Sequence, residues 1–315
     1  MKLSTGLKYR GRLKQIPIYL GKMLRMFVYQ SDWKVLPMAA LIAGLVTFAV
    51  GANIFKTQEG TVQGCFALVC VCVWNGFFNS IQVICRERTI IKREHRAGMH
   101  ISSYVAAHMI YQSFLCAAQT AIILGVCRVA NIQFPTQGLV TPYFMADFAI
   151  SLFLLTYAAD MMSLAISALV KNTTTAMTVM PFMLIFQLLF SGGLVKLEGP
   201  ATMITDSTIA KWGLKSFCTL GDYNSRPMVT LWNTIYKFRD LEIYGIKPIE
   251  TIMNEVMNRN LLDTVLQESG TYNMNPEYVY TAENVLISWG WIAAIGAIAA
   301  LLAVILLEFV DRDKR

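Results

Sequence analysis

Apolar residues in this chain do not alternate with polar ones. They gather into six continuous runs, 35–55, 62–84, 104–129, 143–170, 175–195 and 285–307, joined by short polar links and one long polar segment. Each run reaches the roughly 20 residues that a helix needs to cross a bilayer. Spanning barrel strands would show a period of two instead. The pattern therefore predicts an all-α polytopic membrane protein with six transmembrane helices. Ahead of the first run, residues 9–30 mix basic residues with Ile16, Leu20, Met23, Leu24 and Phe27 at helical spacing. That stretch predicts an amphipathic helix in the membrane interface, started or kinked by Pro17.

The organisation predicted from these runs has four parts. Residues 1–34 form a basic cytoplasmic segment with the interfacial helix, and 35–195 hold helices 1–5, with a short helix at about 86–102. Residues 196–284 make an outer subdomain between helices 5 and 6, and 285–315 supply helix 6 and a tail. Within the outer segment, the repeat of Ile249, Ile252, Met253, Val256, Leu262 and Val265 predicts a helix over 248–267, begun by Pro248.

Composition sharpens the picture. The chain is 55% hydrophobic and 15% charged, against about a quarter charged in ordinary soluble domains. The first 34 residues carry eight Lys/Arg, the 86–102 loop carries five, and the links after runs 1 and 3 hold only Lys56 and Arg128. By the positive-inside rule both termini and the 86–102 loop face the cytoplasm, most simply of a plasma-membrane protein. The net charge of +7 is thereby accounted for by topology, without a nucleic-acid partner. The basic start lacks a cleavable apolar core, so no secretory signal peptide is expected. Seven cysteines without a CxxC, and His95, His100 and His108 at spacings of five and eight, give no metal or redox centre.

The densest charge lies in RERTIIKREHRAGMHISSYV, residues 86–105. Arg86, Arg88, Lys92, Arg93 and Arg96 give it a cationic face, while Ile90, Ile91 and Met99 give it an apolar one. Glu87 and Glu94, seven apart, share a face. Gly98 breaks the helix, and Ser102 or Ser103 can cap the next span. Such a loop is either a positive-inside staple or a helix that docks on another protein. Asp160, in the middle of the fourth run, costs about 2.5–3.5 kcal/mol to insert and so faces protein or a water-filled cavity. It serves as a carboxyl hydrogen-bonded to a neighbouring helix, or in substrate binding, or as a polar hinge. Asn75, Phe78, Asn79 and Gln82, with Gln112 and Gln119, either join helices or line a cavity suited to an amphipathic substrate. Asp147 and Arg128, near the ends of adjacent spans, are expected to pair. Small residues in the last run (Gly290 and Ala294, Ala293 and Ala297, Gly296 and Ala300) predict close helix packing.

The order of motifs resembles the transmembrane domain of G-subfamily ABC exporters. Glu87, Glu94, Gly98, Ser102, Ser103 and Tyr104 match the loop that family uses as its coupling helix. YAADMMSLAISALV at 157–170, FSGGLVKL at 190–197 and STIAKWGLKSF at 207–217 resemble its fourth helix, the end of its fifth and its re-entrant helix. The resemblance implies coupling by Glu87, Arg88, Arg93, Glu94 and Gly98, a substrate cavity at Asn75, Phe78, Asn79 and Asp160, and an outer gate at Phe190 and Leu194. It also implies a dimer of such subunits, contact with membrane lipid, and a nucleotide-binding ATPase domain or subunit that binds ATP and Mg. GLKYRG at 6–11 has phosphate-loop spacing, but Arg12 and Leu13 stand where Lys and Ser/Thr are required. The chain itself is therefore expected to bind no cofactor and to carry no catalytic site. An amphipathic or hydrophobic drug, lipid or peptide is the implied cargo. The alternatives are an ATP-independent channel or receptor whose outer segment binds a ligand and, against the spacing of its His and Asp residues, a membrane-embedded hydrolase.

Overall fold

The computed structural model describes residues 11–29, 32–193, 199 and 202–308, with the backbone alone at Ala52. Among them are α1 (Arg12–Tyr29), α2 (Val35–Val50), α3 (Gln58–Ser80), α4 (Val83–Arg96), α5 (Ile101–Val129), α6 (Phe144–Leu169) and α7 (Thr173–Leu189). Then come α8 (Thr202–Asp206), α9 (Ile209–Leu220), α10 (Thr230–Lys237), α11 (Pro248–Asn258), α12 (Leu262–Thr271) and α13 (Ala282–Glu308). The described residues are all-helical, with two isolated bridges and no strand.

Five helical stretches are long and apolar enough to cross a membrane: Asp32–Val50, Gln58–Arg96, Ile101–Val129, Phe144–Leu169 and Ala282–Glu308. The sequence predicts six. The 175–195 run supplies α7, whose 17 residues fall short of a full crossing. Pro181 lies inside α7, and Gly192 adopts φ +80 just past its end, a conformation that continues no helix. The first run also stops early, at Val50, followed by a 3-10 turn and by Phe55 at φ +60. Pro17 sits in the second turn of α1, inside the helix, so it does not start it.

α6 is the central post. It packs against α3 on one side and α13 on the other, and also meets α5 and α9. The approach to α3 is close because residue 76 is glycine: a Cβ there would lie 2.5 Å from the Thr156 carbonyl and 2.6 Å from the Ala159 methyl. Gly296 serves α13 in the same way against Ala158, and Ala300 is buried beside it. Gly290, by contrast, faces open space, and Ala293, Ala294 and Ala297 are exposed. One of the small-residue pairs thus makes the intramolecular seam. Leu41, Leu45 and Phe48 on α2 and Ile298, Leu301 and Ile305 on α13 point outward, as lipid-facing side chains do.

Two apolar cores lie along the bundle. At the α4 end, Met23, Ile84, Ile91, Met99, Tyr104, Leu164 and Leu307 pack together. Toward the far end, Phe55, Phe144, Phe148 and Phe217 form a ring cluster with Phe134, centroids 5.1–6.0 Å apart. Only Ile81 and Gln82 separate α3 from α4, and the pair makes one helical stretch of 39 residues. At the head of that rod Gln58 donates to the Gly270 carbonyl (2.9 Å), and the Glu59 carboxylate accepts from the Val229 and Thr230 amides. The polar segment carrying α10–α12 is thus tied to the start of α3.

The 248–267 helix is two helices. Asn260, at φ +53, ends α11 in a Schellman turn, with Leu261 N–H donating to the Val256 carbonyl and Asn260 N–H to that of Met257. Apolar spacing carries across such a turn, so periodicity alone does not reveal it.

Candidate functional site

α4 begins three residues before the predicted loop helix and ends at Arg96. Its termination is a second Schellman turn: Gly98 takes φ +102, its N–H donates to the His95 carbonyl, and Met99 N–H reaches that of Glu94. The N-terminal amides of Ile84 and Cys85 have no helical acceptor of their own. Both donate to Ser167 Oγ, at 3.1 and 3.2 Å, on the last turn of α6. Arg88 returns the service, its Nη1 donating to the Ala168 and Val170 carbonyls at 2.9 and 2.8 Å where α6 ends. Each helix end caps the other.

The opposite face of α4 meets α1 and α5. Glu87 is buried and accepts from Lys22 Nζ and from the Tyr104 hydroxyl, both at 3.2 Å. Burial and the Glu94 carboxylate beside it push the Tyr19 phenol up to about 12, so it stays protonated. Gln15 bridges the turn beyond, donating to the Gly98 carbonyl and accepting from His100 N–H. His100 is the N-cap of α5 and caps with its backbone only. The expected serine cap is absent there, and Ser103 instead donates to the Arg12 carbonyl. Held on three helices, α4 leaves Arg86, Thr89, Ile90, Arg93 and Arg96 exposed along its remaining face.

The second feature is a polar cluster at the depth of the bundle. Asn79 and Gln119 exchange two amide hydrogen bonds, at 3.0 and 2.9 Å. Gln112 donates to Ser80 Oγ at 2.7 Å, and Cys116 Sγ donates to Asp160 Oδ2 at 3.6 Å. Beside the cluster lies a cavity of about 220 Å³, whose walls include Phe78, Asn79, Gln112 and Met177 and whose polar lining includes Asp32 and Arg86.

Of the residues predicted for a cavity, Phe78, Asn79, Gln82 and Gln112 line this one; Asn75, Gln119 and Asp160 are buried outside its wall. Phe190 is the C-cap of α7, its ring 5.0 Å from Phe186; Leu194 lies outside the described residues. Asp147 does not pair with Arg128. Its carboxylate accepts from the amides of Leu139, Val140 and Thr141 at 2.8–2.9 Å, while Arg128 is exposed. Charge signs along a sequence favour ion pairs, but three converging backbone N–H groups satisfy a buried carboxylate equally well. Ser167, Lys22 and Gln15 do not stand out in the sequence, because each acts across more than 60 residues. A basic residue on the buried side of an amphipathic helix was the available signal for Lys22; nothing local marks Ser167.

A family model described as ABC-2 type transporter matches residues 22–199, which take in the α4 corner and the polar cluster. The chain is also similar to an ABC transporter ATP-binding/permease protein of Mycobacterium tuberculosis, 29% identical over 148 residues. The match covers 45% of this chain and only 16% of that relative.

Proposed function

The chain belongs to the ABC-2 type transporter family and is the membrane component of an ABC transporter, and from that premise we propose that it works in an ATP-driven exporter of the G-subfamily kind. It moves an amphipathic or hydrophobic substrate outward by alternating access. The observation that carries this reading is the anchoring of α4: one face is bonded to α1, α5 and α6, and the other is exposed. A helix with that double attachment passes displacement from a docked ATPase into three membrane helices at once. In this role α4 is the coupling helix, with Arg93 and Ile90 toward the ATPase and Glu87, Arg88 and Glu94 toward the bundle.

ATP and Mg then belong to the nucleotide-binding unit, on a separate chain or on another part of a longer polypeptide. The ATP-binding/permease name of the mycobacterial relative supports the second arrangement. The chain contributes no catalytic residue. Completing α7 to a sixth crossing puts both termini in the cytoplasm of a plasma-membrane protein, α1 in the inner interface among lipid head groups, and α8–α12 outside. Two such subunits enclose the pathway. Phe78 and Asn79 line its approach on the cytoplasmic side, Phe190 and Leu194 constrict its outer end, and α9 dips back from outside. ATP-driven closure shifts the populations of inward- and outward-facing states.

The test is purification from native membranes in mild detergent, with Arg93→Glu and Gly98→Val alongside the unaltered chain. A stoichiometric ATP-binding partner, lost with Arg93→Glu, is the expected result. Gly98→Val is expected to keep the chain in the membrane and stop ATP-dependent efflux from vesicles. A chain that purifies without any ATPase and passes an ion current overturns the exporter reading in favour of a channel.

A further inference from the structure

We propose that the cluster between α3, α5 and α6 binds one monovalent cation, with Asp160 as its charged ligand and Ser80 and Gln112 as neutral oxygen ligands. Two buried side-chain oxygens there have no hydrogen-bond partner. Asp160 is fully buried; Cys116 donates to one of its oxygens, Asn79 and Ser80 face the carboxyl, and Oδ1 has no hydrogen-bond partner. Gln112 is fully buried too; its Nε2 is spent on Ser80 Oγ, and its Oε1 has no partner. Both unpaired oxygens therefore belong to side chains that meet at one serine.

None of the described groups that face Asp160 is basic; Arg86, on the wall of the neighbouring cavity, lies 4.0 Å from the Asp32 carboxylate. The titratable groups toward Asp160 are Cys116 and Tyr111 on α5 and Tyr157 on α6 itself; α3 presents the uncharged Asn79 and Ser80. α13, which packs on α6, carries no charged side chain between Val285 and Leu307. A carboxylate at this depth with no basic partner is costly, and a bound cation of charge one neutralises it. The ligand set argues for the same class. It is made of hard oxygens with a single carboxylate, where a divalent ion takes more charge and more ligands and transition metals favour imidazole and thiolate. Access is built in: Gln112 and Asn79 form part of the wall of the 220 Å³ cavity, which has room for several waters.

A proton and an alkali ion share this chemistry. A proton taken from cavity water forms an O–H bond at Oδ1, whereas a sodium-class ion is coordinated by the oxygens directly. The intact protein in detergent distinguishes them without any transport assay, so the outcome is independent of the exporter reading. Infrared difference spectra of the unaltered protein against Asp160→Asn report a protonated carboxyl. Thermal unfolding in sodium, potassium or choline chloride at equal ionic strength reports an alkali ion. The expected result is one of two: an acid carbonyl band that vanishes in Asp160→Asn, or a saturable sodium- or potassium-dependent rise in Tm that vanishes in it. Gln112→Leu keeps the carboxyl and covers the case where Asp160→Asn fails to fold; it should shift the acid band or weaken half-saturation at least tenfold. No acid band together with equal melting in all three salts overturns the proposal.

Discussion

Glu87 accepts a hydrogen bond from Lys22 on α1 and another from Tyr104 on α5, so one side chain joins α4 to two other helices. Removing it leaves a lysine ammonium half-buried without its partner. Hydrogen bonds to charged groups contribute about 1.5–3 kcal/mol each to stability, and Glu87→Ala is expected to lower it by about 2 kcal/mol, read from the detergent unfolding midpoint. In a double-mutant cycle with Lys22→Ala, the coupling should exceed about 0.5 kcal/mol; strict additivity would place Lys22 outside the clamp. The sequence marked Glu87 but not what it holds. A carboxylate on the buried side of a basic amphipathic helix signals a partner, and the partner's identity depends on how helices 65 and 17 residues away are laid against it. Asp147 teaches the converse. Its charge was legible and its partner was misread, because backbone amides carry no signature in the residue pattern.

At the scale of elements, apolar run length was a sound guide to which helices exist and a poor guide to where they stop. The ends are set by single residues with unusual backbone angles: Phe55, Asn131, Gly98 and Asn260 all adopt positive φ. Only Gly98 announces itself by composition. Helix contact is set by small residues instead, most sharply at Gly76, where α3 runs against Thr156–Asp160 of α6. Gly76→Ala should force the two helices apart and cost about 1–3 kcal/mol, as overpacking typically does. Gly290→Ala, which meets open space, is the control and should keep or slightly raise the midpoint, since Ala is the better helix former. Equal effects from the two would mean that helix propensity rather than contact decides.

On the scale of the whole molecule, the polar segment between α7 and α13 is not an independent appendage. Glu59 accepts from the two amides at the start of α10, and Gln58 reaches the end of α12 and Asn273. Glu59→Ala should therefore expose the 227–275 region to limited proteolysis while the helical bundle stays intact. Cleavage unchanged from the parent would place the restraint on Gln58 and Asn273 alone. The segment was legible as helical and polar, but its attachment was not. That attachment joins residues about 170 and 212 positions apart, a distance no periodicity spans.

The two-residue link of Ile81 and Gln82 carries a further consequence. An α-helix turns about 100° per residue, so inserting one residue there would rotate everything beyond it by that angle. Glu87 and Ile91 would swing out of the bundle and arginines would swing in, with every side chain still the original one. The count of residues between α3 and α4 is thus as restrictive as their identity. Relatives that work in the same way should vary in sequence at this link while keeping its length.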